Sequence, residues 1–304
     1  MHIYLPVYLQ KEPILYPGKR RELINVFESA KRKCFYYDII TYTILLGSAI
    51  VFILPVLWMF LNSLKPENLV NTRIPVVFFK PVFKHYQELL FNGRFLQSYI
   101  NSIIVAIGHS LLAIIISLPA AYSFSRLHFR GKKAISYWVL LTRCLPPIGM
   151  AVPFYLVYAK LGLINTRVGL MIIYLTLNLS FGLWMLRSFI DSVPPELEEA
   201  AFIDGCNRFQ VLTKITLPLI TPGLISTGIY IFIVAWSEFM YAFIFTGFES
   251  KTAPVEIQSY ITPMGIDWAS MSAAGILIIA PTIVFYILVR KYIISGLTFG
   301  GLKE

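Results

Sequence analysis

The sequence predicts an all-α polytopic membrane protein with six transmembrane helices and both termini on the cytoplasmic side. Three observations carry that expectation. The chain of 304 residues is 57% hydrophobic but only 14% charged, with a mean hydropathy of +0.69, whereas soluble domains carry about 25% charged residues. The apolar residues come in long runs, not in the alternating or amphipathic patterns of a soluble core. The basic residues favour alternate loops, as cytoplasmic segments of membrane proteins do.

The elements follow in order. Residues 1–38 form an N-terminal arm in which Arg20–Lys33 reads as a basic amphipathic helix on the inner membrane surface. The first span, Ile39–Leu61, contains no Asp, Glu, Lys or Arg; about 20 apolar residues in a helix cross a hydrocarbon layer. Residues 62–98, punctuated by Pro66, Pro75 and Pro81, make the first outside loop, and Tyr99–Ser125 is the second span. Arg126, Arg130, Lys132 and Lys133 mark the next turn as inside. The third span, Ile135–Ala159, holds Arg143 and Cys144-Leu-Pro-Pro147, where prolines break the ladder and free backbone carbonyls. Val168–Leu186 is the fourth span, Leu219–Thr246 the fifth and Met271–Val289 the sixth. A cytoplasmic segment, 187–218, joins spans four and five. An outside loop, Gly247–Ser270, with Pro254, Pro263 and Gly265, joins the last two, and a glycine-rich tail runs from Arg290 to Glu304. The spans and their loops, 39–304, read as one transmembrane domain. A spanning β-barrel would show short alternating segments, and the sequence has none. No cleavable signal peptide is expected, because the first apolar run starts near residue 39 and lacks a small-residue cleavage site.

Several function classes drop out. The net charge of +10 would suggest nucleic acid in a soluble protein, but here it follows the cytoplasmic loops. Cys34, Cys144 and Cys206 lack metal-ligand spacing, so no metal site or disulfide framework is expected. The histidines at 2, 85, 109 and 128 are scattered, and no soluble stretch is long enough for a catalytic domain, so no catalytic residues are expected. Gly131-Lys-Lys133 lacks the upstream glycine of a phosphate-binding loop. Charges inside spans are costly and point to function by default. Glu238 either lines a translocation path or pairs for structure. Arg143 either satisfies freed carbonyls or meets an anionic substrate. His109 reads as a helix-to-helix hydrogen bond or a proton relay.

The segment between spans four and five is unlike the rest. Ser192, Pro194 and Pro195 read as a helix start, with Glu196, Glu198 and Glu199 at the favourable end of its dipole. Ala200 and Ala201 are small enough for another surface to approach, and Gly205 permits a sharp turn. A second short helix follows, expected to bury Phe209, Leu212 and Ile215 and to close at Leu217-Pro218. A compact helical hairpin tied to the membrane at both ends suits a mechanical joint.

Glu199-Ala200-Ala201, Gly205, Ile215 and Leu217-Pro218, at their observed spacing, resemble the EAA loop of binding-protein-dependent ABC permeases. Asn101-Ser-Ile-Ile-Val-Ala, Ala121-Tyr-Ser-Phe-Ser-Arg126 and Trp236-Ser-Glu-Phe-Met-Tyr241 are similar to the carbohydrate-uptake, MalG-like branch, which more often has Trp-Asn-Glu at the last motif. The tail, with Gly296-Leu-Thr298 and Gly300-Gly-Leu-Lys303, resembles that branch's C-terminal segment. The resemblance runs from about residue 40 to the end and leaves the N-terminal arm uncovered.

It implies a type I ABC importer permease in a bacterial cytoplasmic (inner) membrane. Glu199, Ala200, Ala201, Asp204, Gly205, Leu217 and Pro218 would form the coupling helix that docks on an ATPase, and Gly296, Leu297, Thr298 and Gly300 would reach the same partner. Arg143, Glu238, Trp236 and Asn101 are candidates for the path or its gate. Pro254, Pro263 and Gly265 are candidates for contact with the binding protein. The implied partners are a second permease subunit in a heterodimer, two ATPase subunits that bind ATP and Mg, and a periplasmic or extracellular solute-binding protein. The implied cargo is a carbohydrate, an oligosaccharide; Arg143 and the basic balance leave room for an acidic one such as an alginate oligosaccharide. This chain would itself hold no cofactor and hydrolyse nothing. The alternatives are a permease for another solute and an ion-coupled secondary transporter, which would need carboxylates or broken helices in paired repeats.

Overall fold

A computed structural model describes the backbone of residues 17–72, 74–263 and 265–299, and the side chains within it except those of 17–36, 92 and 288–299. The chain divides into two compact units, 1–58 and 59–304. Within the first, α1 (Pro17–Ser63) begins, helical without a break across the arm and the first span. The basic stretch Arg20–Lys33 is therefore continuous with the span, not a separate surface helix. The side chains from Tyr37 to Trp58 are exposed.

The second unit opens with α2 (Glu67–Val70) and α3 (Lys84–Gln87), followed by a π-helical turn at Glu88–Asn92 and the long α4 (Phe95–Arg126). The expected third span is two helices, α5 (Lys132–Leu141) and α6 (Pro147–Leu161), bent by 99°. The break falls at Leu145-Pro146, where the chain is extended, as the tandem prolines dictate. The expected fourth span is α7 (Arg167–Ile173) and α8 (Leu175–Asp191), bent by 49° at Tyr174 with no proline there.

Next come α9 (Pro195–Ile203), α10 (Arg208–Val211) and α11 (Leu217–Leu219), then α12 (Thr221–Trp236), α13 (Met240–Phe245) and α14 (Ala253–Glu256). A two-stranded hairpin, β1 (Ile261–Thr262) and β2 (Gly265–Ile266), pairs Ile261 with Ile266 and Thr262 with Gly265 before α15 (Trp268–Phe299). Pro218 does not close the second short helix. A π-helical turn, Leu212–Thr216, absorbs its missing N–H, and the chain turns by 82° only after Leu219. The stretch from Arg290 to Phe299, expected to begin a short glycine-rich tail, is helical and continuous with α15. The described chain thus holds three unbroken apolar helices long enough to cross a membrane, Tyr37–Ser63, Phe95–Arg126 and Trp268–Ile287, plus three bent pairs.

The second unit is built around α4, which packs on α7, α8, α12 and α14. His109 is fully buried and joins two elements: Nδ1 lies 3.0 Å from the Met171 carbonyl and Nε2 3.0 Å from Asn178 Nδ2. It is a helix-to-helix bond, as the sequence allowed. Pro281 inside α15 cannot donate to the carbonyl of Leu277 four residues back; the Tyr99 hydroxyl donates to it instead, at 3.2 Å. Trp236 Nε1 donates to the adjacent Ile278 carbonyl at 2.9 Å. The helix is thereby held to α4 and α12, since freed backbone groups in a membrane must find partners within the protein.

Candidate functional site

The hairpin α9–α11 is built by local rules. Pro195 occupies the first turn of α9, where its missing N–H costs nothing. Ser192 does not cap α9; its hydroxyl donates to the Phe189 carbonyl and closes α8. Gly205 adopts φ +86°, and the N–H groups of Cys206 and Gly205 close on the carbonyls of Ala201 (3.0 Å) and Phe202 (3.1 Å). That is a Schellman ending, which needs a left-handed residue. Asn207 and Gln210 then exchange side-chain and backbone bonds in a capping box that starts α10.

One carboxylate holds this hairpin to the membrane helices. Glu198 is 3% exposed. Its Oε1 accepts from Arg126 Nε (3.1 Å) and Thr216 Oγ1 (2.9 Å), and its Oε2 accepts from the Tyr122 hydroxyl (3.1 Å). Arg126, the last residue of α4, also donates through Nη2 to the carbonyls of Ile190 (2.9 Å) and Val193 (2.7 Å) at the end of α8. Sequence reasoning placed Glu198 on a helix dipole and Arg126 among the inside charges. Their signal was a carboxylate one position before the Glu-Ala-Ala motif and an arginine ending the second apolar run. Asp191, near the same junction, accepts from Ser125 and pairs with Arg187 at 3.4 Å.

The outer surface of the hairpin carries uncovered apolar side chains among charged ones. Ile203 is 87% exposed and Phe209 74%, with Leu197 and Phe202 exposed beside them. Phe209 was expected to be buried and is not; Leu212 is buried as expected, with Val211 and Thr216, and Ile215 is half-buried. The helical register places Phe209 two residues before that face. Of the coupling candidates, Ala201 is buried, while Glu199, Ala200, Asp204 and Gly205 are exposed. Leu217 is half-buried and Pro218 exposed. Gly296, Leu297 and Thr298 lie on the helical backbone of α15, and Gly300 lies outside the described residues.

The path candidates are dispersed. Asn101 is fully buried, and its Nδ2 donates to the carbonyls of Glu249 and Lys251, both at 2.9 Å. Its Oδ1 accepts from Arg167 Nε at 2.8 Å and Gln97 Nε2 at 3.3 Å. Asn101 thus pins the last loop and α7 to α4. Trp236 is 2% exposed, edge-on to Tyr99. Glu238 does not sit within a continuous helix: α12 ends at Trp236, and the carboxylate accepts from the Tyr241 (2.8 Å) and Ala242 (3.0 Å) N–H groups at the start of α13. Arg143 is exposed and lies over the Phe181 ring at 5.5 Å, with no hydrogen bond to a freed carbonyl among the described residues. Glu238 and Arg143 are not paired with each other.

In the last loop, Pro254 opens α14, whose Ala253, Val255 and Glu256 are buried, with Glu256 paired to Lys251 at 3.2 Å. Pro263 and Gly265 belong instead to the exposed tip of the β-hairpin, Gly265 at φ +134°. A polar cavity of 340 Å³ opens beside the tip, lined by Glu67, Asn71, Thr262, Gly265, Asp267 and Trp268 among others. Burial, aided by the Glu256 and Asp267 carboxylates, pushes the neighbouring Tyr260 hydroxyl up to about 12.

Comparison with known proteins places this geometry. The chain is 37% identical to the trehalose/maltose transport system permease protein MalG of Thermococcus litoralis, over 84% of this chain and 93% of that protein. It is 31% identical to the diacetylchitobiose uptake system permease protein DasC of Streptomyces coelicolor, over 83% and 92%. Its fold is similar to a chain in the crystal structure of a bacterial ABC transporter involved in import of the acidic polysaccharide alginate, with a TM-score of 0.70, 23% identity and coverage of 92% and 99%. Residues 113–297 match the model of one family. The chain belongs to that family, the inner membrane components of binding-protein-dependent transport systems.

Proposed function

We propose that this chain is one permease subunit of a bacterial inner-membrane ABC importer for oligosaccharides, with six spans and both termini in the cytoplasm. The bent pairs α5–α6, α7–α8 and α10–α12 each supply one span. A second permease completes the path, two ATPase subunits hold ATP and Mg, and a solute-binding protein delivers the sugar from outside. Relatives named for the uptake of maltose, trehalose and diacetylchitobiose support an oligosaccharide as cargo. An acidic sugar stays within the proposal through the exposed guanidinium of Arg143.

The observation that carries this reading is the hairpin itself, ordered by its own caps and leaving Ile203 and Phe209 uncovered. Large apolar side chains left exposed on a single hairpin point to a contact surface. The test is the Ile203→Glu, Phe209→Glu double variant in the importer purified from its native host. Loss of the co-purifying ATPase is expected, because each carboxylate must leave water on docking. Retention of the ATPase at wild-type stoichiometry would place the contact elsewhere. Uptake by the intact importer of labelled maltose, trehalose, N,N′-diacetylchitobiose and an oligouronate then identifies the cargo.

The external hairpin gives a second test. Because α14 is part of the core and only the tip is free, shortening near Pro254 would disrupt folding. Replacing residues 261–266 with Gly-Ser-Gly addresses the tip alone. The ratio of binding-protein-stimulated to basal ATP hydrolysis is expected to fall toward one. A ratio equal to wild type would reduce the hairpin to a connector.

A further inference from the structure

We propose that Glu198 and Arg126 are positioning residues that lock the coupling hairpin to the inner ends of α4 and α8, so that these three parts move as one body. This inference rests on the docking reading above. The hairpin is joined covalently to α8 through residues 192–194 and to α12 around Ile220. It has no covalent link to α4, the helix at the centre of the second unit. Beside a buried apolar cluster that holds Leu212 with Ala121 and Tyr122, its polar connection to α4 is the Glu198 cluster: Arg126 and Tyr122 come from α4, and Thr216 comes from the hairpin's second limb.

The cluster has the features of a contact that stays closed. Glu198 is 3% exposed and has three donors, one of them cationic. Parting a buried pair leaves both charges desolvated and unpaired, whereas an exposed surface pair opens at little cost. The arginine spreads its bonds over two nitrogens: Nε holds the carboxylate and Nη2 holds two carbonyls at the end of α8. Three elements meet on one side chain in a planar geometry that lysine cannot reproduce. Glu199, the first residue of the motif itself, is exposed and makes no hydrogen bond or ion pair among the described residues. Displacement of the hairpin by an ATPase is therefore carried into the second span by Glu198, not by Glu199.

The test uses the assembled importer in lipid discs, with Cys34, Cys144 and Cys206 replaced by serine and spin labels on Ser123→Cys in α4 and on the exposed Glu196→Cys in α9. In the otherwise native protein the label distance is expected to be narrow and equal in the nucleotide-free and vanadate-trapped ATP states. In Glu198→Gln it should broaden. ATP hydrolysed per imported sugar, measured with the panel sugar that is transported, should rise by roughly 2- to 30-fold, the range of mutational effects on coupling. Arg126→Lys, which keeps the charge and loses the fork, should show the same effects more weakly and serves if Glu198→Gln fails to assemble. A native label distance that shifts between the two nucleotide states overturns the proposal. So does Glu198→Gln with native distance and native ATP per sugar. Failure of the docking reading is separate, because it appears as ATPase retained by the Ile203→Glu, Phe209→Glu variant.

Discussion

Gly205→Val is expected to detach the ATPase and abolish sugar uptake while the spans still insert. The penalty is conformational and not steric, for a Cβ at this position would meet nothing within 4 Å. What valine cannot accept is φ +86°. The left-handed region costs an L-residue about 1–2 kcal/mol, and a β-branched residue is a clear outlier there. The chain relieves that cost by giving up the Schellman closure through Cys206 and Gly205. Ile203, immediately before the turn and 87% exposed, then loses its fixed direction, and the docking surface loses its shape. Gly205→Asn is the control, since asparagine tolerates this region, and it should retain most ATPase association. Co-purification and sugar-stimulated hydrolysis in lipid discs check both. Normal association and uptake in Gly205→Val would mean that the hairpin is not the joint. Glu199→Gln should weaken hydrolysis coupling more than assembly if its exposed carboxylate meets the ATPase.

The spans were legible because runs of apolar residues have no other stable use, and α4 lies where the second run predicts it. The turn at Gly205 was legible because only glycine takes that conformation cheaply. The broken helices were legible where proline causes the break, as at Leu145-Pro146, and hidden where packing does. The 49° bend at Tyr174 has no breaker residue, and the carbonyl of nearby Met171 is instead bonded by His109 from another helix. Glu238 was misplaced for a related reason. An isolated carboxylate in an apolar run reads as a mid-helix charge, whereas here it caps a helix that restarts just after it. The Glu198 cluster unites residues 122, 126, 198 and 216, a pairing that no local pattern reveals. The outer face of the hairpin was misread at Phe209 because the burial register is set by Val211 and Thr216 packing beneath it.

Asn101→Leu is expected to destabilise the second unit severely, and it separates two roles for this residue. The substitution keeps the volume and removes every polar atom of a fully buried side chain. The carbonyls of Glu249 and Lys251 lose a donor each, and Arg167 loses the acceptor of its Nε. A buried group left unsatisfied costs about 1–3 kcal/mol; these bonds are only partly buried, so the three losses together are expected to cost about 3 kcal/mol, a large share of the roughly 5–15 kcal/mol that holds a typical protein folded. A loss of about 3 kcal/mol lowers the thermal midpoint by roughly 6–12 °C in a protein of this size. The midpoint of detergent-solubilised protein, read by fluorescence-detected size exclusion, checks that fall. Asn101→Asp keeps the acceptor for Arg167 but sets a charge against two carbonyls, so it should fall between Asn101→Leu and the native protein. Stability and uptake should drop together, because α14 and the β-hairpin after it follow the carbonyls that Asn101 holds. A variant with native stability and no uptake would assign Asn101 to the translocation path, and a variant native in both would make the hub dispensable.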